Sequence, residues 1–344
     1  MTIKNLARRI IIRWWLLTHK DNSFFIDLYN ELCKFNVSLV DSYVIMNSSK
    51  EHAKEIDEYL YERLEKKDQD TLLRFYLKRF FGVETINEKE REVIDSAFEG
   101  VKDYYSSDDV DCCKFPFRGH EVSYYCPMGL HTGSYNEKRL MDYYEVVHSF
   151  FLTEYEMEGF NPKDGGTILD CGAANGDTAI LFSCLYPTSQ IISFEFENAQ
   201  FRNLLKNLRE NHIENVIPVQ SFLYADEGNY YVDEDFNVIS QFTSDIAKRI
   251  TTISIDQFVK RKTIENVTLI KFDIEGGEQM ALKGAINTIK SQKPLLYIPI
   301  YHLNDDIYKI PEFLDMLGMP MKFALKWTEK LVWGMDCVLF VRFE

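Results

Sequence analysis

The sequence predicts an α/β protein: a mostly parallel sheet with helices on both faces and a terminal antiparallel strand, preceded by an N-terminal helical domain. Two patterns support this. Residues 1 to about 105 carry apolar side chains at helical spacing, and from the turn Asn161–Gly166 onward short apolar strands alternate with helices to the end of the chain. Two final apolar runs, near Met321–Lys326 and Cys337–Phe343, fit an antiparallel pair. The expected boundaries are a helical domain over residues 1–105, a connecting hairpin and helix over 106–160, and the sheet domain over 161–344.

Within the helical part, Ser48-Ser49 before Glu51 reads as a helix start leading into Ile56, Tyr59, Leu60 and Leu64. Leu72, Leu73, Phe75, Tyr76, Leu77 and Phe80 form an apolar face stopped by Gly82, and Asn87 caps a helix bearing Val93, Ile94, Ala97 and Phe98. None of these residues has catalytic spacing; the aromatic stripes read as core. Pro116, Gly119, Pro127, Gly129 and Gly133 then mark loops, with a hairpin around Val122–Cys126 and a helix from about Asn136 to Phe151.

The most informative stretch is Thr167-Ile168-Leu169-Asp170-Cys171-Gly172-Ala173-Ala174-Asn175-Gly176-Asp177. It reads as an apolar strand ending in a carboxylate, a glycine-bearing turn and a helix start, so a ligand is expected over the strand's C-terminal end. A dinucleotide pyrophosphate favours G-x-G-x-x-G, but Ala174 stands at the middle glycine and Asp170 precedes the first. A carboxylate there repels phosphate and suits an ammonium or sulfonium, which favours S-adenosylmethionine over NAD. Gln190–Glu195 is a second strand ending in an acid. Glu195 lies about 20 residues past the glycines, where a carboxylate can hold both ribose hydroxyls.

Val216–Gln220 is the third strand, and Tyr230–Val232 with Phe236–Ile239 reads as a hairpin insertion. Val267–Phe272 is the fourth, ending in Asp273-Ile274-Glu275-Gly276-Gly277-Glu278; Leu295–Tyr301 is the fifth, closed by His302. Asp273 is expected to face the cleft, to orient or deprotonate an incoming hydroxyl, or to hold a divalent cation with Glu275. His302 is the second candidate base. Glu278 reads as a cap of the next helix.

Composition narrows the class. With 46% apolar residues in 344, including 25 Phe and 20 Tyr, the chain can bury a large core. Seven cysteines make no C-x-x-C pair and no Cys/His ligand spacing, which reads as a reduced, cytoplasmic protein. The net charge of −15 disfavours nucleic acid as a partner. Residues 1–20 differ: Lys4, Arg8, Arg9, Arg13 and Lys20 with no acid give +5 and leave −20 for the rest. Interleaved with Ile10, Trp14, Trp15 and Leu17, these bases fit a membrane surface, such as the inner face of the cell membrane, or a partner, or a helix packed on its own domain. The segment is too short to span a bilayer.

Together the motifs resemble the FkbM-type S-adenosylmethionine-dependent methyltransferases, from about Phe151 to Phe343. The resemblance rests on Ile168–Thr178, on Phe194-Glu195-Phe196-Glu197-Asn198, on Ile253–Asp256, on Leu269–Glu278 running on to Ala285, and on Ile300-Tyr301-His302 before Asp305-Asp306. It implies a Rossmann-like class I methyltransferase sheet and O-methylation of a sugar or glycan hydroxyl. Asp170, Gly172 and Asn175 would then border the methionine part, with Tyr155, Ala173 and Gly176 in the same set. Phe196 and Phe222 would flank adenine, and Asp273 or His302 would sit near the acceptor. Gly277, Phe196 and Pro299 depart from the family's usual residues. A scaffold protein on the same fold, N-methylation of an amine, a metal requirement and a homo-oligomer all stay open.

Overall fold

The computed structural model describes residues 3–35, 37–104, 112–126, 144–233, 238–239, 248–328 and 336–344. Six helices come first: α1 (Ile3–Thr18), α2 (Ser23–Lys34), α3 (Leu39–Ser49), α4 (Ala53–Tyr59), α5 (Lys66–Phe81) and α6 (Glu88–Lys102). A hairpin follows, β1 (Cys112–Phe117) and β2 (His120–Tyr125). Then come β3 (Thr167–Cys171), α7 (Asp177–Leu185), β4 (Gln190–Glu195), α8 (Asn198–Glu210) and β5 (Val216–Gln220). An insertion holds β6 (Phe222–Leu223), β7 (Gly228–Val232), β8 (Val238–Ile239) and β9 (Lys248–Ile253). The chain continues with α9 (Ile255–Lys262), β10 (Val267–Phe272), α10 (Glu278–Lys283), α11 (Ile286–Gln292) and β11 (Leu295–Pro299). It closes with α12 (Asp306–Asp315), β12 (Met321–Trp327) and β13 (Cys337–Phe343).

The chain divides into two units, and the division differs from the expected one. Residues 1–92 group with 299–344, and residues 93–298 form the other unit. In the first unit α12 packs on α4 and β12 on α5, joining the C-terminal residues to the helices. Periodicity along a chain reports which face is apolar but not which distant element covers it.

Aromatic rings fill the core of the first unit. Phe24 meets Tyr61 and Tyr76 edge to face, with centroids 5.6 and 5.3 Å apart, and Phe75 meets Trp327 at 5.9 Å. Local signals set the helix ends. Asn22 caps α2 by accepting from the Phe25 amide, and Gly82 closes α5 at φ +64°. Asn87 and Glu90 bond each other's amides at the start of α6, a capping box. Ser48 and Ser49, expected to open a helix, instead end α3; α4 begins at Ala53. β12 and β13 pair antiparallel from Met321 opposite Phe343 to Trp327 opposite Cys337, as expected.

The second unit carries five parallel strands in the order β11-β10-β3-β4-β5. All five residues of β3 are buried, as in parallel sheets covered on both faces. The expected strand bounds hold for β4, β5 and β10, and β3 runs one residue past Asp170, to Cys171. β11 stops at Pro299, two residues before Tyr301, because proline has no N–H to continue the ladder. The hairpin is longer and earlier than expected, with Phe117 opposite His120 and Cys112 opposite Tyr125. Of the helix expected over 136–151, positions 136–143 lie outside the described residues, and Val147–Phe151 forms one wide helical turn. In the insertion β7 pairs with β8 as expected, and β9, not anticipated, pairs with both β7 and β6.

Gly284 lies where α10 ends. A Cβ there would come 2.3 Å from the Tyr224 carbonyl oxygen and 3.0 Å from the Ser254 side chain, and neither is free to move. Gly284→Ala is expected to cost about 2 kcal/mol of stability through overpacking, read as a lower denaturant midpoint with unchanged m-value.

Candidate active site

In chain order the sheet runs outward from β3 to β4 and β5, then returns to place β10 on the other side of β3. Such a reversal opens a crevice at the strands' C-terminal ends, between β3 and β10. The backbones come very close there. Gly172 has φ +84°, and a Cβ on it would lie 1.7 Å from the Asp273 carbonyl oxygen. Only glycine fits this position. The amides of the turn are spent internally: Gly172 and Ala173 both donate to the Phe194 carbonyl at 2.9 Å, Ala174 donates to the Glu195 carboxylate at 3.0 Å, and Gly176 to the Ala173 carbonyl at 2.7 Å. Such a turn offers few N–H groups to a pyrophosphate, in agreement with the motif.

Lys271, which the sequence reading did not single out, occupies the centre of the crevice floor. It is 1% exposed. Its ammonium donates to the Gly172 carbonyl at 2.6 Å and stands 3.3 Å from Asp170 and 3.6 Å from Asp273. Burial opposes the ammonium, but Asp170, Asp273 and Asp177 together outweigh it and hold its pKa above the ordinary lysine value. The available signal was a lysine inside the apolar run Val267–Phe272, where a charge is buried only with a partner.

Asp170 is fully buried and accepts from Thr178 Oγ1 at 3.0 Å and Ser193 Oγ at 3.0 Å while pairing with Lys271. These partners enclose the oxygens, so the Asp170 carboxylate shapes the floor. Asn175 is likewise engaged: its amide donates to Glu145 at 3.1 Å and its carbonyl accepts from Asn203 at 2.8 Å. Asn207 clamps the same turn by donating to the Asn175 main-chain oxygen at 2.7 Å. Asn207 and Asn211 also bond the backbone of Tyr125 and Ser123, standing in for a strand along the edge of β2.

Glu195 closes β4, 6% exposed, and accepts from the amides of Ala174 and Glu197 at 3.0 and 2.6 Å. Burial raises its pKa, with the amides of Glu197, Ala174 and Phe196 opposing. A carboxylate has about four lone-pair sites, so these amides leave it acceptor capacity for a hydroxyl donor. Phe196 and Phe222 do not sandwich a base. Their centroids are 4.9 Å apart at 66°, and a ring between them would need about 7 Å, twice the usual contact distance. They form one apolar wall.

Asp273 follows β10. The Tyr155 hydroxyl donates to its Oδ2 at 2.6 Å, and the Tyr155 ring lies under the Lys271 ammonium at 5.3 Å. Tyr155 thus joins the site through Asp273 and not as a free surface. Glu275 adopts φ +53° in the loop that follows, and Glu278 accepts from the Ile274 amide at 2.8 Å, so it ties that loop to α10. His302 falls in the first unit, beside Tyr301 at a ring separation of 4.3 Å.

A second acidic group backs the turn. Asp177 is buried at the start of α7, accepting from Ser149, and Glu145 accepts from the buried Tyr124 hydroxyl. Burial, reinforced by Glu145, pushes Asp177 up to about 7.

Residues 170–320 match the family model described as the methyltransferase FkbM domain. This segment is similar to that family. The FkbM domain thus covers the glycine turn, Glu195, Lys271 and Asp273, and its fold is the Rossmann-like class I methyltransferase type. No curated protein matches the sequence. Among solved structures, the methyltransferase FkbM from Methylobacillus flagellatus KT is 17% identical at a TM-score of 0.45, covering 77% of this chain and 65% of its own. The precorrin-6y C5,15-methyltransferase from Geobacter metallireducens GS-15 is 14% identical at 0.36, covering 58% and 87%. Fibrillarin from Aeropyrum pernix, solved with natively bound S-adenosyl-L-methionine, is 18% identical at 0.35, covering 56% and 71%.

Two stability measurements check the FkbM site's interior. Lys271→Met leaves Asp170 buried and unpaired and is expected to cost about 3–5 kcal/mol; adding Asp170→Asn should recover much of that loss. Asp177 has a folded pKa raised above its unfolded value, so its contribution is present at low pH and is lost as pH rises from about 4 through about 7. Asp177→Asn should therefore gain stability relative to the native chain across that window and level off above it, in denaturation series at stepped pH.

Proposed function

We propose that the FkbM domain transfers a methyl group from S-adenosylmethionine to a hydroxyl of a sugar or glycan. The observation that supports this best is the placement of Glu195 and Asp273 at the C-terminal ends of β4 and β10, the two strands flanking β3. The residues fit that cofactor: Glu195 keeps acceptor capacity for a diol, Phe196 and Phe222 offer a wall for a flat base, and the turn presents few amides to phosphate. The sugar acceptor rests on the family resemblance.

S-Adenosylmethionine supplies an already activated methyl group, so the protein's work is to position, exclude water and take a proton. Glu195 holds the ribose hydroxyls. Tyr155 and Lys271 fix the orientation of Asp273, which would accept the proton of the incoming hydroxyl.

Isothermal titration with S-adenosylmethionine should give micromolar-range binding by the native chain. Glu195→Gln, which keeps one acceptor oxygen for the turn, should bind at least tenfold more weakly; equal affinity removes the ribose assignment. Asp273→Asn should keep cofactor affinity while S-adenosylhomocysteine release in the presence of sugar acceptors falls by about a hundredfold or more. Unchanged turnover removes Asp273 from the proton transfer.

A further inference from the structure

Among its described side chains, helix α1 is packed on one side. Ile12 and Trp15 are buried, and Trp15 stacks on Tyr43 of α3 at 5.2 Å with the Lys50 ammonium over its ring. The opposite side shows Ile10, Trp14 and Leu17 at 59%, 60% and 72% exposure. Their i, i+4, i+7 spacing makes them a single stripe along the helix. Arg9 and Arg13, both exposed and one turn apart, stand beside it, and the exposed Lys20 follows the helix's end at Thr18. The neighbouring α3 leaves Val40 and Val44 exposed one turn apart.

We propose that this face of α1 docks on an anionic lipid bilayer. Three observations select that occupant. The apolar stripe carries a tryptophan, a side chain that settles at headgroup depth, and is bordered by bases long enough to reach phosphates beside it. The first 20 residues hold five bases and no acid, while the remaining chain carries −20, so an anionic surface attracts α1 and repels everything else. The molecule would therefore arrive with α1 first. Finally, α1 has 16 residues, and no helix among the described residues is long and apolar enough to cross a membrane, which leaves lying in the interface as the fit for such a helix.

The inference is independent of the methyl-transfer reading and is tested on the full chain by vesicle flotation. One set of vesicles is pure phosphatidylcholine and the other holds phosphatidylglycerol in equal part. The native chain should float with the second set only. Arg9→Ala with Arg13→Ala should weaken partitioning roughly thirtyfold, from the typical contribution of each base near such a surface. Ile10→Ser with Leu17→Ser should abolish it while leaving the melting curve unchanged, since both positions are exposed. No flotation with anionic vesicles, equal flotation with both sets, or flotation indifferent to both variants overturns the proposal. So does a native dimer that the Ser variant turns into a monomer without any lipid binding, which would make the stripe a contact between copies.

Discussion

The crevice depends on one buried ammonium. Lys271 sits on β10 with almost no access to water, and an unpaired charge there would cost several kcal/mol. Asp170 on β3 and Asp273 after β10 satisfy it, and the Gly172 carbonyl accepts a further hydrogen bond from it. Asp170 in turn is filled by Thr178 from α7 and Ser193 from β4. One charge thus ties the C-terminal ends of three adjacent strands and the start of a helix. It also accounts for Gly172. The ammonium can reach that carbonyl only where the β3 turn and the Asp273 backbone nearly touch, and a Cβ would part them. The acid that looks most like a ligand group in the motif is part of this framework, and the acids left for ligands are those held at its edge.

Much of the sheet was legible because β3, β4 and β10 are buried on both faces and read as largely apolar runs. β4 and β10 begin and end where those runs do. Gly82 and Asn87 were legible for a similar reason, since caps act within a few residues. What stayed hidden depends on partners far along the chain. Asp170 looked available because Lys271 lies 101 positions later; Phe196 and Phe222 looked like two jaws because nothing in their spacing shows that they touch. Ser48 and Ser49 carry a helix-start composition but end α3, whose burial outweighs it. β9 escaped notice because Lys248-Arg249-Ile250-Thr251-Thr252-Ile253 lacks a clear alternation, its pairing being supplied by β6 and β7.

The same ammonium bears on how a cationic cofactor is admitted. A sulfonium brought over Lys271 alone would be repelled, strongly so in a site with little water. Asp170 cancels that field from below, where it is enclosed and cannot compete for the ligand. Asp273 is then left to act toward the crevice, with Tyr155 fixing its direction, while Glu195 is partly neutralised by backbone amides and suits hydroxyls better than a charge. The floor is thereby close to neutral and its rim is negative. A methyl donor with one net positive charge is favoured over its neutral thioether product, so the electrostatics that help it bind also help the product leave. On the proposed reading, selectivity for the cation would belong to the balance among Asp170, Lys271 and Asp273 and not to a single carboxylate. Removing Asp170 would leave the floor positive, which no substitution on the rim would do.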